Sequence, residues 1–388
     1  MWLVYKLIFR IIDKNLMFKA KDTIKIILPN HKIITLGNSK EVVEVTVFKS
    51  SYLIGLLFFG LPYLGLGYSK GYWTTNNLKK LLEIGVKYKT SFRSIAILNT
   101  FISPYTWFIK FFNKNTLIKS RKQISFHYDL GNDFYRLWLD KTMTYSSAIF
   151  NNYEKLELAQ HNKYRAIAKS ADIKKHHTVL EIGCGWGGFI NFVEKNIGST
   201  ITGITISGEQ YNYTKKNVIN KSTVEFKDYR NVKNKFDRIV SIEMFEAVGT
   251  NNWKTYFNKL KDNLNENGKV ALQIITISEE SNKYYLKRKD FIQKYIFPGG
   301  MLPTKRALKV LAKNNGFTFK ECNSFGKDYS TTLGLWKKKF LYNWYKIEKL
   351  GFDNNFKRLW EYYLTYCEVG FKKGSIDVSQ FLLERDKL

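Results

Sequence analysis

Residues 179–189 read VLEIGCGWGGF, from Val179 to Phe189. Val179-Leu180-Glu181-Ile182 has the composition of a short buried strand. The chain then turns through Gly183-Cys184-Gly185-Trp186-Gly187-Gly188 into a helix. Glycines let the backbone turn sharply and approach a ligand closely, and a helix start offers unpaired N–H groups. Gly183, Gly185 and Gly188 also satisfy G-x-G-x-x-G, the dinucleotide fingerprint, which alone is a weak signal. Two features favour S-adenosylmethionine over NAD. Glu181, two residues before the first glycine, is placed to face the methionine ammonium or its water shell. The next strand ends in Thr205-Ile206-Ser207, with no acid at its tip to hold a ribose. Glu209, at the start of the following helix, keeps the dinucleotide alternative open.

Working outward from this loop, strands and helices alternate. HTVLEIG is a strand and 187–196 a helix. STITGITIS is a strand and 209–219 a helix. STVEFK and FDRIVSIEMF are strands, 251–264 is a helix with Gly268 after its end, and GKVALQIITI is a strand. This rhythm predicts a parallel, doubly wound α/β sheet with the ligand at the carboxyl edge of its strands. Residues 282–303 interrupt it as an insertion. The tail from Tyr329 reads as mostly helical and aromatic, with Trp336, Trp344 and Trp360. Before the α/β region, 22–48 alternates like a short meander of strands, and 76–115 looks helical and then basic. We place a boundary near Asn115, between a small N-terminal α+β domain (1–115) and a larger domain (116–388).

The 388 residues include 63 Lys and Arg against 33 Asp and Glu, a formal net charge of +30. Such an excess attracts nucleic acid or an anionic lipid surface, unless it reflects only a Lys- and Asn-rich composition. Aromatics make up 16%, which suits either a greasy pocket or an ordinary Phe- and Tyr-rich core. Cys184, Cys322 and Cys367 show no metal-ligand or disulfide spacing, so no metal site is expected and a reducing cytoplasmic compartment fits. The N-terminal stretch MWLVYKLIFRIIDKNLMF is interrupted by charge, unlike a signal peptide. Its helical spacing suits packing on the body or lying on a membrane. The run 52–67 is broken by Pro62 and glycines and is shorter than the roughly 20 residues needed to span a bilayer.

Several segments resemble, in order, those of the cyclopropane-fatty-acyl-phospholipid synthases. They are ISFHYDLGNDFYRLWLDKTMTYSSAIF (124–150), GITISGEQ (203–210), DYR (228–230), FDRIVSIEMFEAVG (236–249), KYIFPGGMLP (294–303), DYSTTL (328–333) and YYLTYCEVGF (362–371), with a looser match at GLGYSKGYW (65–73). The resemblance implies a class I methyltransferase, Rossmann-like fold. It implies cofactor contacts from Tyr145 and Ser146, from the loop Gly183, Gly185, Trp186 and Gly187, from Thr205 and Gln210, and from Tyr229 and Arg230 beside the adenine. The family also holds a bicarbonate ion beside the reacting methyl, using Cys, Glu, His, Ile and Tyr. The Glu matches Glu246, the Ile matches Ile275 and the Tyr matches Tyr329. The Cys position holds Ser147 and the His position holds Gln273, while a C-terminal family Cys matches Cys367. Gln273 keeps a hydrogen-bond donor but carries no titratable proton at neutral pH.

The implied chemistry is transfer of a methylene unit to a cis double bond of a membrane phospholipid acyl chain. Attack of the alkene on a sulfonium methyl needs no base. Closing a three-membered ring does, and the pocket must exclude water from the cation. Aromatic faces steady passing positive charge; Phe134, Tyr135, Trp138, Tyr145 and Tyr329 are candidates, with core packing the competing role for Phe134 and Trp138. His127 is a candidate pocket wall, and Cys367 either lines the acyl site or is a buried thiol. Basic clusters at 110–122 and Lys337–Lys339 suit docking on an anionic membrane, from the cytoplasmic side and peripherally, with a homodimer possible as in relatives. If Gln273 redirects the proton, the product becomes a methylene- or methyl-branched chain. A nucleic-acid methyltransferase is disfavoured by the segments at 124–150 and 294–303, so no nucleic-acid partner is expected. A non-catalytic lipid-binding relative stays open because of Ser147 and Gln273.

Overall fold

The computed structural model describes residues 22–88, 130–152, 155–218 and 221–386. The boundary near Asn115, the N-terminal amphipathic stretch, the basic cluster 110–122 and His127 lie outside the described residues.

The central sheet has seven strands: β5 (Val179–Ile182), β6 (Ile201–Thr205), β7 (Thr223–Phe226), β8 (Phe236–Ile242), β9 (Leu264–Ile277), β10 (Phe317–Ser324) and β11 (Ile376–Arg385), in the spatial order β10-β11-β9-β8-β5-β6-β7. Strands β7-β6-β5-β8-β9 pair in parallel, and β11 runs antiparallel between β9 and β10. This is the doubly wound arrangement expected of a class I methyltransferase. The order reverses at β5, and ligands of such sheets sit beyond the carboxyl ends at that point.

A four-stranded sheet precedes it: β1 (Thr23–Ile27), β2 (Ile33–Leu36), β3 (Val42–Val47) and β4 (Trp73–Thr75), ordered β2-β1-β3-β4. It is not a plain meander. Strand β3 returns beside β1, in parallel, rather than beside β2. That placement lines Ile24 of β1 and Val43 of β3 up against Ile84 in one small core. Between β3 and β4, helices α1 (Ser50–Phe59) and α2 (Pro62–Ser69) break at Gly60 and Pro62. Helix α3 is Leu78–Lys87, its start capped by the Asn77 side chain accepting from Lys80 N at 3.0 Å.

Helices α4 (Leu156–Ser170), α5 (Gly188–Asn196), α6 (Gly208–Asn217), α7 (Trp253–Asp262), α8 (Lys305–Asn314), α9 (Gly326–Tyr342) and α10 (Asn354–Lys372) complete the frame. One helix ends earlier than expected. Helix α7 stops at Asp262, because Leu264 already pairs with Phe236 as the first residue of β9. The tail is mostly helical, as expected, and it ends in β11, whose residues Val378 to Phe381 are buried inside the sheet.

One apolar cluster joins the two sheets. Tyr68 and Trp73 from the N-terminal part pack with Trp138, Trp336, Trp360 and Tyr362. Arg358 of α10 donates to the carbonyls of Tyr68 (2.6 Å) and Trp73 (2.7 Å), and Tyr68 donates to Glu361 (3.0 Å). Among the described residues, no helix is long and apolar enough to cross a membrane.

Candidate active site

Three glycines of the loop after β5 have left-handed backbone: Gly183 (φ 81°), Gly185 (φ 55°) and Gly187 (φ 82°). L side chains rarely adopt this region. Space is also short. A Cβ on Gly187 would lie 2.6 Å from Thr214 Cγ2, and one on Gly183 would lie 2.7 Å from Met244 Cγ, whereas Gly185 faces open space. Thr214 donates to the Gly185 carbonyl at 2.9 Å, tying α6 to the loop. Trp186 is buried and donates from Nε1 to Asn132 Oδ1 at 2.7 Å; Asn132 in turn donates to Glu209 (3.0 Å). Glu209 is therefore engaged by Asn132 at the side of the loop.

Glu181 is 3% exposed, and its Oε2 has no hydrogen-bond partner among the described residues. Burial pushes its carboxyl well above the usual range, and the Lys163 charge pulls it back. A buried carboxylate oxygen without a partner beside a glycine cradle is what a ligand ammonium would satisfy. The residues thus fit S-adenosylmethionine: Glu181 for the amino-acid end, with Gly183, Gly185 and Gly187 as cradle. Ser146 accepts from Lys163 Nζ at 2.7 Å. Lys163 is fully buried, and that burial lowers its ammonium to about 8. Thr205 donates to Gln210 at 2.9 Å and accepts from Ser207 N at 3.2 Å, which fixes the end of β6. Tyr229 packs edge-on against Tyr256, and burial raises its hydroxyl to about 12. Arg230 is forked onto Asp228 by two 2.8 Å bonds, so its guanidinium is held by the chain itself.

The second group lies at the ends of β8 and β9. Here the structure departs from the expected set. Ser147 N (2.8 Å) and Gln273 Nε2 (2.8 Å) donate to Oε1 of Glu243, and Tyr329 OH donates to its Oε2 (2.6 Å). Glu243, not Glu246, collects them. It follows β8 directly, and its own N–H donates to the Gln273 carbonyl at 2.8 Å. Its φ of 51° is left-handed in a non-glycine residue, a conformation that costs energy and persists where surrounding contacts impose it. Glu246 stands apart: its Oε1 accepts from Ile275 N at 2.5 Å, and its buried Oε2 has no partner among the described residues. Burial, and then the charge of Glu243, lift Glu246 to about 8. Burial also raises Glu243, against the hydrogen bonds from Tyr329, Ser147 and Gln273 and the charge of Lys163.

Two of these residues have supports that sequence reading missed. Gln380 of β11 lies opposite Gln273 in register and donates to its Oε1 at 3.1 Å. This turns the Gln273 amide nitrogen toward Glu243. Tyr329 stacks on Phe371 at 4.3 Å. The signal for Glu243 was present, an acid at the end of a buried apolar strand, but SIEMFE carries two glutamates and only the second was read.

An aromatic wall flanks this group. Tyr145 lies 5.4 Å from both Trp138 and Trp336 and 5.5 Å from Tyr135, and its hydroxyl bonds Tyr363 at 2.7 Å. Phe134 backs this wall, edge-on to Tyr135 and Trp138, and is otherwise enclosed by Phe340, Phe352, Phe356 and Trp360 as core packing. Burial raises the Cys367 thiol, so it stays protonated. Lys337 pairs with Glu368 at 2.7 Å and Lys339 donates to the Leu139 carbonyl, so this run is not three solvated charges.

Residues 115–381 match the profile of the mycolic acid cyclopropane synthetase family. The chain is 34% identical over 343 residues to the tuberculostearic acid methyltransferase UfaA1 of Mycobacterium tuberculosis, covering 84% of this chain and 79% of that one. It is 37% identical over 260 residues to the cyclopropane-fatty-acyl-phospholipid synthase of Escherichia coli, covering 67% of this chain and 66% of that one. The crystal structure of mycolic acid cyclopropane synthase CmaA1 complexed with SAH and CTAB superposes with a TM-score of 0.63 at 29% identity, over 68% of this chain and 98% of that one. With that match running from before the glycine loop to within β11, the chain belongs to the mycolic acid cyclopropane synthetase family and is an S-adenosylmethionine-dependent methyltransferase of lipid acyl chains.

Proposed function

We propose that the protein adds a methylene unit across a cis double bond of a phospholipid acyl chain, leaving a cyclopropane ring. The observation that carries this reading is the joining of three features: a glycine cradle with the unpartnered Glu181 oxygen, the aromatic wall of Trp138, Tyr145 and Trp336, and a buried carboxylate group around Glu243. When bound, S-adenosylmethionine supplies an electrophilic sulfonium methyl. The chain's residues do the rest. Glu181 and the loop hold the amino-acid end. The wall excludes water and lays π faces beside the cation, worth roughly 0.5–2 kcal/mol per face. The carboxylate group receives the proton that leaves. The likeness to the Escherichia coli phospholipid synthase supports this product.

The likeness to UfaA1, a tuberculostearic acid methyltransferase, favours a second reading with the same cofactor and lipid class but a branched product. A 1,2-hydride shift that moves the cation to the methyl-bearing carbon, followed by loss of a proton from the methyl, gives a methylene branch. Docking is on the anionic, cytoplasmic face of the membrane. Exposed Tyr342, Tyr345 and Leu350 beside exposed Lys338, Lys346 and Lys349 support it, because aromatic and basic side chains together suit a lipid interface.

Expression in a host that lacks such lipids, with NMR of the extracted phospholipid acyl chains, tests the reading. Cyclopropane protons are expected. Vinylidene signals instead select the branched product. Unchanged lipids alongside folded, cofactor-bound protein overturn both.

A further inference from the structure

The donors expected to hold a free bicarbonate are already holding a carboxylate of the chain. Ser147 N, Gln273 Nε2 and Tyr329 OH all converge on Glu243 at 2.6–2.8 Å. The set does not fit a separate anion, because a second negative group beside Glu243 would meet like charge at short range in a buried site. We propose that Glu243 is a built-in base that replaces the free anion and takes the proton during ring closure. The proposal rests on the one-carbon transfer described above.

The step balances. Once the methyl is on one alkene carbon, the other carbon is cationic. One C–H bond of that methyl breaks, its electron pair closes the ring at the cationic carbon, and the proton goes to Glu243. A carboxylate has about four lone-pair directions, of which the three donors take three. The direction left is on Oε2, which among the described residues accepts only from Tyr329. Glu246 is the poorer base of the two. It accepts one bond from Ile275 N, sits beside the Glu243 charge and keeps its own proton at neutral pH. Two neighbouring carboxyls with environments that separate them give one acid and one base.

Three further observations support the assignment. The left-handed backbone at Glu243 aims its side chain at donors from a loop (Ser147), from β9 (Gln273) and from α9 (Tyr329), a strained arrangement of the kind found at functional sites. Fully buried Lys163 bonds Ser146, and its charge acts on Glu181 and Glu243 alike, so the cofactor cradle and Glu243 share one environment. Gln380 fixes the one orientation of Gln273 in which the amide nitrogen reaches Glu243.

The test uses the full chain with phospholipid vesicles and S-adenosylmethionine. Wild-type product formation is expected to be unchanged in bicarbonate-stripped buffer. Glu243→Gln, which keeps the shape, is expected to fall by about 10²-fold or more, the usual worth of a positioned base, with cofactor affinity by calorimetry unchanged. Glu243→Gly removes the carboxylate and suits the left-handed backbone. It is expected to be inactive alone and to recover about tenfold or more on adding millimolar bicarbonate, part of what the base supplied. A second arm needs no lipid: ¹³C-bicarbonate NMR is expected to show binding to Glu243→Gly and none to wild type. A bicarbonate requirement in wild type, wild-type binding of ¹³C-bicarbonate, a Glu243→Gln enzyme at full rate, or a Glu243→Gly protein unresponsive in both arms would each overturn the assignment. If folded wild type converts no lipid, the proposed function fails while the NMR arm still decides who holds the anion site.

Discussion

At the scale of single residues, the buried carboxyls carry the sharpest expectations. Glu246 has an ordinary value of 4.5 and sits at about 8 in the fold. Between those limits the native state holds a proton that the unfolded chain has lost. Its contribution to stability is therefore full below about pH 4.5 and is lost as the pH rises toward 8. Glu246→Gln keeps an acceptor for Ile275 N and does not titrate. It is expected to melt near wild type at pH 5 and above it at pH 9, with the gap in thermal scans widening through the interval. The glycines separate in another way. Gly187→Ala meets Thr214 and is expected to lower stability by about 1–3 kcal/mol. Gly185→Ala faces open space and is expected to weaken S-adenosylmethionine binding in calorimetry with a smaller loss of melting temperature. The cofactor loop was legible because its glycines and Glu181 are local signals, adjacent in the chain. Glu243 was not, because its meaning comes from Ser147, Gln273 and Tyr329, which lie 96, 30 and 86 residues away.

Strands and helices differ in how openly they are written. The parallel strands β5, β6 and β8 are largely apolar and buried, as both-face burial requires, and the sequence alone locates them, together with the exposed edge strand β7. Strand β11 hides behind an aromatic helix and buries Ser379 and Gln380, which look like surface residues until their partners across β9 and β10 are known. The parallel pairing of β3 with β1 was likewise out of reach of local alternation. Strand β11 has a chemical task through Gln380, whose Nε2 donates both to Gln273 Oε1 and to the Lys163 carbonyl at 3.2 Å. Gln380→Leu is expected to cost about 1–3 kcal/mol by leaving these buried acceptors unsatisfied. It frees the Gln273 amide, so kcat is expected to fall several-fold with the cofactor KM unchanged. A purely structural role would lower melting temperature and leave kcat in place.

For the whole molecule, the charge of +30 and the exposed tyrosines predict a salt-sensitive attachment. Screening shortens from about 10 Å at 0.1 M to about 3 Å at 1 M salt. Sedimentation with anionic vesicles is expected to be strong at low salt and to weaken steeply by 0.5 M, with neutral vesicles binding poorly throughout. Replacing Tyr342 and Tyr345 by serine is expected to weaken what survives at high salt, the share owed to apolar insertion. Vesicle binding indifferent to both changes would remove the membrane-docking part of the proposal.

The union of the two sheets also has a history in time. Arg358 grips the Tyr68 carbonyl from 290 residues downstream. At a synthesis rate of about 5–20 residues per second, roughly a quarter of a minute to a minute separates the emergence of those two residues from the ribosome. Through that interval Tyr68 and Trp73 lack the aromatic helix that covers them. A nascent chain stalled before residue 354 is therefore expected to display an aromatic surface to any holdase within reach, and the released full chain to have folded it away.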